Sequence, residues 1–276
     1  GSGFAMGPGG KGSNQAVAAA RAGAKTRFIS RLGQDSFGDI AMATWAAEGI
    51  DAKVARSPHA PTGAAFIYVN DVNGENAIIV VPGAAGDISV ADVEAAAETI
   101  RSSRVFVTQL EQPAEAALAA LRIARGAGVT TVFNPAPAAP FDPAIYPLVD
   151  YITPNESETA AMVGFPVETI EDAKRAGDVL LKKGVGVALI TLGEKGALFH
   201  AKDRSELVPA FHVAAVVETA GAGDAFNGGF AAALAEGRDP LAAARFGCAV
   251  AGIAVTRAGT APAMPHRAEV DALLNR

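Results

Sequence analysis

The 276-residue chain is short of several things, and each shortage removes a class of function. It holds one cysteine, Cys248, so no internal disulfide can form and a reducing, cytoplasmic setting is expected. Its four histidines, His59, His200, His212 and His266, lack ligand-like spacing, and no Cys/His cluster accompanies them, which argues against zinc. Uncharged runs such as residues 246–256 are too short to cross a bilayer, so no membrane partner is expected. No Gly-x-Ser-x-Gly elbow is present, which lowers a hydrolase reading. Basic residues are in deficit, 23 against 29 acidic, and a net charge of −6 argues against a general nucleic-acid binder. A phosphate substrate is still open, because helix ends, one lysine and a metal ion can meet it locally. Against these shortages, half of the residues are hydrophobic, enough to bury a core and to make disorder improbable.

Along the chain, helical and strand patterns alternate. Residues 26–31 read as a strand, and residues 37–48 as a helix with Trp45 on its core face. Two β-rich runs, 64–70 and 77–81, flank Asp71-Val72-Asn73-Gly74, a strong hairpin signal. Helices are expected at 92–101, 113–125, 170–183, 225–236, 240–256 and 268–274, and strands at 104–110, 129–133, 149–153, 185–192 and 196–201. Repeated β–α units imply a mostly parallel sheet covered by helices on both faces. Ligands in such sheets bind beyond the strand C-termini. Glu111, Asn134, Asn155 and Thr191 follow strands and are therefore expected to converge on one edge.

Glu218-Thr219-Ala220-Gly221-Ala222-Gly223-Asp224 carries the clearest chemistry. Two glycines and two alanines leave the backbone bare before a helix, where orphan amides and the helix dipole favour an anion. Asp224 is either the cap of that helix or a catalytic base. Near the start, Gly7-Pro8-Gly9-Gly10-Lys11-Gly12 formally matches G-x-G-x-x-G, with Asp35 about where a ribose-binding acid would stand. No strand precedes it, so the dinucleotide reading fails, and the spacing also fails a Walker A loop. What remains there is an amine, Lys11, and an amide, Asn14, on a bare backbone that a small ligand can approach. Asn155 and Glu158 share a face at a helix start, as ligands or as a capping box. Thr191-Leu192-Gly193-Glu194-Lys195-Gly196 is a second glycine turn after a strand.

Taken together, these pieces resemble the ribokinase-like (PfkB-type) carbohydrate kinases. The resemblance rests on the runs from Gly9 to Ala20 and from Glu218 to Gly228, with Gln109-Leu110-Glu111, Asn134-Pro135-Ala136, Thr153-Pro154-Asn155-Glu156-Ser157-Glu158 and Thr191-Leu192-Gly193 between them. It implies one domain over residues 1–276, a three-layer α/β sandwich with a small β lid from about residues 1–8 and 62–82. It implies ATP-dependent phosphorylation of D-ribose at the 5-hydroxyl, with other sugars or a nucleoside as rivals. Asp224 is then the general base, and the backbone of Gly221, Ala222 and Gly223 the anion hole. Gly10, Lys11, Gly12, Ser13, Asn14 and Glu111 are expected on the sugar. Asn155, the 191–196 turn, Gly223 and Cys248 are expected on ATP, with Glu158 holding magnesium through water. A monovalent cation, potassium or another, is expected at Glu218, Ala220, Ala254, Arg257, Gly259 and Ala263, with Glu218 where the family usually has Asp. The lid is expected to pair two subunits as a homodimer. Members of that family begin with a strand carrying a sugar-binding aspartate; neither is present here, so a central strand is expected to be missing.

Overall fold

The computed structural model describes residues 6–69, 76–213 and 215–276. The elements run α1 (Lys11–Arg21), β1 (Arg27–Gly33), α2 (Ser36–Ala47), β2 (Asp51–Ser57), β3 (Ala64–Val69), β4 (Asn76–Val81), α3 (Val90–Ala95) and α4 (Ala97–Arg101). They continue β5 (Val105–Thr108), α5 (Ala114–Gly126), β6 (Thr130–Phe133), β7 (Tyr151–Ile152), α6 (Glu156–Val163), α7 (Ile170–Lys182) and β8 (Val187–Thr191). The last are β9 (Ala197–Ala201), β10 (Arg204–Val208), α8 (Ala222–Ala235), α9 (Pro240–Ala254) and α10 (Arg267–Leu274).

The main sheet has the order β10-β9-β8-β7-β6-β5. Strands β5 to β8 are parallel, and β9 and β10 are added antiparallel at one edge. β1 and β2 form a separate parallel pair, and β3 and β4 a separate antiparallel hairpin. The expected hairpin is thus present, while its Asp71-Val72-Asn73-Gly74 tip lies outside the described residues.

Two helix boundaries are corrected, two strands are added that the sequence reading did not mark, and Asp35 takes a capping role. The helix expected over 92–101 begins at Val90, capped by Ser89 with a reciprocal Asp92 box, and breaks at Ala96. Strands β2 and β10 carry no strong apolar alternation and owe their form to pairing with β1 and β9. Helix α8 starts at Ala222, three residues before the expected start, behind Gly221 in the left-handed region at φ 79°. Asp35 is neither a ribose ligand nor free: it caps α2 through Gly38 N–H and also accepts from Thr62 N–H.

Two apolar cores flank the main sheet. One joins α1, α8 and α9 through Val17, Phe226, Phe230, Phe246 and Val250; the other packs Leu121 and Leu180 on Phe133, Ile152, Ile190 and Leu198. Glycines let α8 lie unusually close to its neighbours. A Cβ at Gly228 would sit 2.5 Å from both the Ala18 Cβ and the Gln15 carbonyl oxygen. A Cβ at Gly229 would sit 2.6 Å from Val250, and one at Gly247 2.9 Å from the Phe226 carbonyl. This contact sets the distance between the side chains of α1 and the first turn of α8. Among the described residues, no helix is long and apolar enough to cross a membrane.

Candidate active site

The first turn of α8 begins with Gly221 and has no side-chain cap. The Ala222 N–H turns back to the Thr219 carbonyl (3.1 Å), whereas the amides of Gly223 and Asp224 have no protein acceptor among the described residues. Such a helix start offers fixed donors to an anion. Asp224 follows at once but does not cap the helix. Its side chain is 5% exposed, with Oδ2 accepting from Asn14 Nδ2 (2.9 Å) and Oδ1 from Gln15 Nε2 (3.0 Å). Of the two sequence readings, the cap is therefore excluded. Burial pushes the Asp224 carboxyl above the ordinary aspartate value, against the pull of Lys11, Asn14 and Gln15.

Helix α1 brings its polar residues to the same place. Gly10, at φ 88°, turns the chain into α1, and Lys11 N–H donates to Glu111 Oε2 at 2.7 Å. Burial raises the Glu111 carboxyl, opposed by that amide and by the Lys11 charge. Asn14 is 4% exposed, and among the described residues its Oδ1 has no hydrogen-bond partner, an acceptor left open in a buried polar site. Gly12 and Ser13 face elsewhere. A Cβ at Gly12 would meet Gln109 and Phe28 at 3.1 Å, and Ser13 Oγ accepts from the indole N–H of Trp45 at 2.8 Å.

Between these elements lies a cavity of about 130 Å³. Lys11, Asn155, Glu158, Thr191, Gly223 and Asp224 line it, together with Asn134, Thr153 and Asn227. Asn134, Asn155 and Thr191 thus converge beyond the strand C-termini as expected, and Glu111 joins through Lys11. Asn155 and Glu158 form a reciprocal capping box at α6: Asn155 Oδ1 accepts from Glu158 N–H (2.8 Å) and Glu158 Oε2 from Asn155 N–H (2.9 Å). Box and ligand are not exclusive, since Glu158 also faces the cavity, where burial raises its carboxyl. A larger hollow of about 500 Å³ opens at the other ends of β6 to β8. There the Arg125–Asp150 ion pair faces solvent, and none of the groups just described takes part.

The remaining expected residues divide. In the turn after β8, Leu192 is buried, Gly193, Glu194 and Lys195 are exposed, and Gly196 is held against the Val208 carbonyl, which a Cβ would approach to 2.1 Å. Cys248 lies in the apolar core of α9 rather than on the cavity, its thiol pushed up to about 12 by burial. Glu218 Oε2 accepts from Gly259 N–H at 2.7 Å, and the amides of Val217 and Glu218 both reach the Val255 carbonyl. This joins the segment before α8, with Ala220, to the loop carrying Ala254, Arg257, Gly259 and Ala263. The Ala254 carbonyl already accepts from Arg257 N–H (3.1 Å), and the Arg257 guanidinium pairs with Glu269.

Five residues beyond those expected as ligands complete the site. Gln109 Nε2 donates to Gln15 Oε1 (2.6 Å), and Gln15 Nε2 also reaches Asn134 Oδ1 (3.1 Å). Asn134 Nδ2 donates to the Thr153 carbonyl (2.8 Å), Thr153 Oγ1 to Asn227 Oδ1 (2.6 Å), and Asn227 Nδ2 to the Gly223 carbonyl (2.8 Å). The one signal that could have marked Gln15 is its place four residues after Lys11, on the helix face that also carries Asn14.

A buried carboxylate beside free helix-start amides, with a lysine and the amide side chains of Asn14 and Gln15 around it, suits transfer of a charged group to a hydroxyl. Known proteins agree. The family model "pfkB family carbohydrate kinase" matches residues 1–267. The chain is 41% identical to a ribokinase of Haemophilus influenzae over 262 residues, 95% of this chain and 85% of that protein. It is 37% identical to a deoxyribokinase of Salmonella typhi over 264 residues, 95% of this chain and 86% of the other. A solved Arabidopsis thaliana ribokinase, complexed with ribose and ATP, superposes with a TM-score of 0.90 at 30% identity, covering 97% of this chain and 88% of that one. By fold, site and sequence, the chain belongs to the pfkB family of carbohydrate kinases.

Proposed function

We propose that this sugar kinase phosphorylates D-ribose at its 5-hydroxyl with ATP, giving ribose 5-phosphate and ADP. One observation carries the reading: the buried Asp224 carboxylate stands in the free-amide turn of α8, and α1 presents Asn14 and Lys11 beside it. The sugar lies against Gly10, Lys11, Asn14 and Glu111. Its 5-hydroxyl reaches Asp224, which takes the proton as the oxygen attacks the γ-phosphorus. The new O–P bond forms while the bond from phosphorus to the β-phosphate oxygen breaks, and ADP leaves. The amides of Gly223 and its neighbours hold the equatorial oxygens without reorganising. The open Asn14 Oδ1 accepts a sugar hydroxyl.

ATP lies along Asn155, the 191–196 turn and Gly223. Glu158 and Asp224 line the small cavity with Lys11, whose N–H also holds Glu111, a charge balance that suits a divalent cation. Glu158 would hold magnesium through water, and the ion supplies charge neutralisation on the phosphates. The Glu218–Gly259 junction is the proposed seat of a monovalent cation. Phe66, Ile67, Ile79, Val80 and Val81 leave the β3–β4 hairpin apolar and exposed, which supports a lid that pairs two subunits.

A coupled ADP-release assay across ribose, deoxyribose, fructose and nucleosides tests the reading. The deoxyribokinase similarity makes deoxyribose the rival, and a higher kcat/KM for it would replace ribose. Binding of sugar and ATP by calorimetry without turnover would refute an active kinase. Asp224→Asn is expected to retain nucleotide binding and to lose roughly 10²–10⁴-fold in kcat. Unchanged turnover in that variant would remove Asp224 from its role.

A further inference from the structure

Gln15 does not itself line the cavity and was not expected as a ligand, yet it is 4% exposed and bonded at both ends. Its Oε1 accepts from Gln109 Nε2 at 2.6 Å, which fixes the orientation of the amide. Its Nε2 must then face the other way, where it meets Asp224 Oδ1 at 3.0 Å and Asn134 Oδ1 at 3.1 Å. Asn14 holds the second oxygen, Oδ2, at 2.9 Å. With both oxygens pinned, the carboxylate has one orientation instead of the broad range an aspartate χ2 otherwise samples. Gln109 sits just past the end of β5, so the grip on Asp224 is anchored in the main sheet and not in α1 alone.

We infer that Gln15 is a positioning residue for phosphoryl transfer, its amide oriented by Gln109 so that an N–H donor holds the Asp224 carboxylate in line with the acceptor hydroxyl. The inference rests on Asp224 being the base. It requires no contact of Gln15 with sugar or nucleotide. Its content is the sign of the group: a donor is required at that point, where an acceptor of equal size defeats the purpose.

The test compares Gln15→Met, Gln15→Glu and Gln109→Met with the unaltered chain at one pH, with Asp224→Asn in parallel. Gln15→Met keeps length and volume and deletes the donor. Here kcat is expected to fall roughly tenfold to a hundredfold, the range for one hydrogen bond to an ionised group. KM for ribose and for ATP should stay within about threefold, because no ground-state contact is lost. Gln15→Glu keeps the bond from Gln109 but sets an acceptor against Asp224, so its kcat should fall below that of Gln15→Met. A residue needed only to bridge α1 to Gln109 predicts the reverse order, with Glu better than Met. Gln109→Met leaves Gln15 intact but free to turn over, and should lose kcat less than Gln15→Met does. That third variant decides the matter if either Gln15 change fails to fold. Full kcat in Gln109→Met and Gln15→Met, or a rise in sugar KM at unchanged kcat, overturns the inference. Normal turnover of Asp224→Asn would instead overturn the base assignment itself, so the two failures are distinguishable.

Discussion

Gly228→Ala is the most demanding perturbation of this geometry, because a single methyl group is expected to reach the chemistry from one turn away. In an exposed helix interior that change stabilises by about 1 kcal/mol, since alanine is the better helix former. Here the new Cβ would lie 2.5 Å from the Ala18 Cβ and 2.5 Å from the Gln15 carbonyl oxygen. Nonbonded carbon contacts settle at about 3.5–4.0 Å, so α1 and α8 must separate by about 1 Å. Overpacking of this kind costs about 1–3 kcal/mol, which cancels or outweighs the propensity gain and leaves a net loss of up to about 2 kcal/mol. For a chain of this size the melting temperature should fall by up to about 4 °C. The larger effect is catalytic. The same separation stretches the Asn14 and Gln15 bonds to Asp224, now 2.9 and 3.0 Å. A misplacement of about 1 Å costs on the order of 10² in rate. Gly126→Ala is the control, since nothing lies within 4 Å of its Cβ and it should be neutral or stabilising with full activity. Calorimetric melting and steady-state kinetics decide the matter. A Gly228→Ala protein that is more stable and fully active would refute the claim that this contact sets the site.

Other consequences are simpler to check. Asp224 must be ionised to act, and burial raises it, so the acid limb of kcat/KM should lie above the ordinary aspartate value of 3.8. Stability runs the other way, because a raised carboxyl binds its proton more tightly folded than unfolded. Its penalty is full above the folded value and is relieved as pH falls through it, so Asp224→Asn should melt no lower than the parent at pH values where the parent carboxyl is ionised. Glu158→Gln keeps a residue suited to the capping box but weakens the hold on hydrated magnesium. The magnesium needed for half-maximal turnover should rise roughly tenfold to a hundredfold, with the fold unchanged by circular dichroism. Cys248, its thiol at about 12, should resist thiol reagents at pH 8 until denaturant is added. Stoichiometric labelling of the folded protein would contradict its burial.

Much of this was legible because glycine and polar residues mark where backbone must be bare and strands must end. The 221–224 turn, Lys11, Asn14 and the residues after β6, β7 and β8 are of that kind. The helix start was not legible to the residue: Gly-Ala-Gly-Asp reports bareness but not phase, and only the left-handed Gly221 sets α8 at Ala222. Strands β2 and β10 escaped because their form comes from a partner strand and not from their own alternation. Gln15 escaped for a different reason. Its partners stand 94, 119 and 209 residues away, and no local pattern encodes the register that Gly228, Gly229 and Gly247 impose on α1, α8 and α9.

The charge balance of the proposed site restricts how a nucleotide enters it. Glu111, Glu158 and Asp224 are each pushed up by burial, the sign of a place where added negative charge is unwelcome. Among the described residues Lys11 is the one basic side chain on the cavity, and the amides of α8 add only the fraction of a charge that a helix start carries. A bare triphosphate would bring several further negative charges against that background. The nucleotide should therefore bind with its magnesium, and free ATP should compete weakly. Replacing Glu158 by a neutral residue should narrow the difference between free and magnesium-bound ATP from both sides, weakening the complex and easing entry of the bare nucleotide. Calorimetric titration with and without magnesium would measure it, and equal weakening of both forms would show that Glu158 acts on the fold and not on the charge of the ligand.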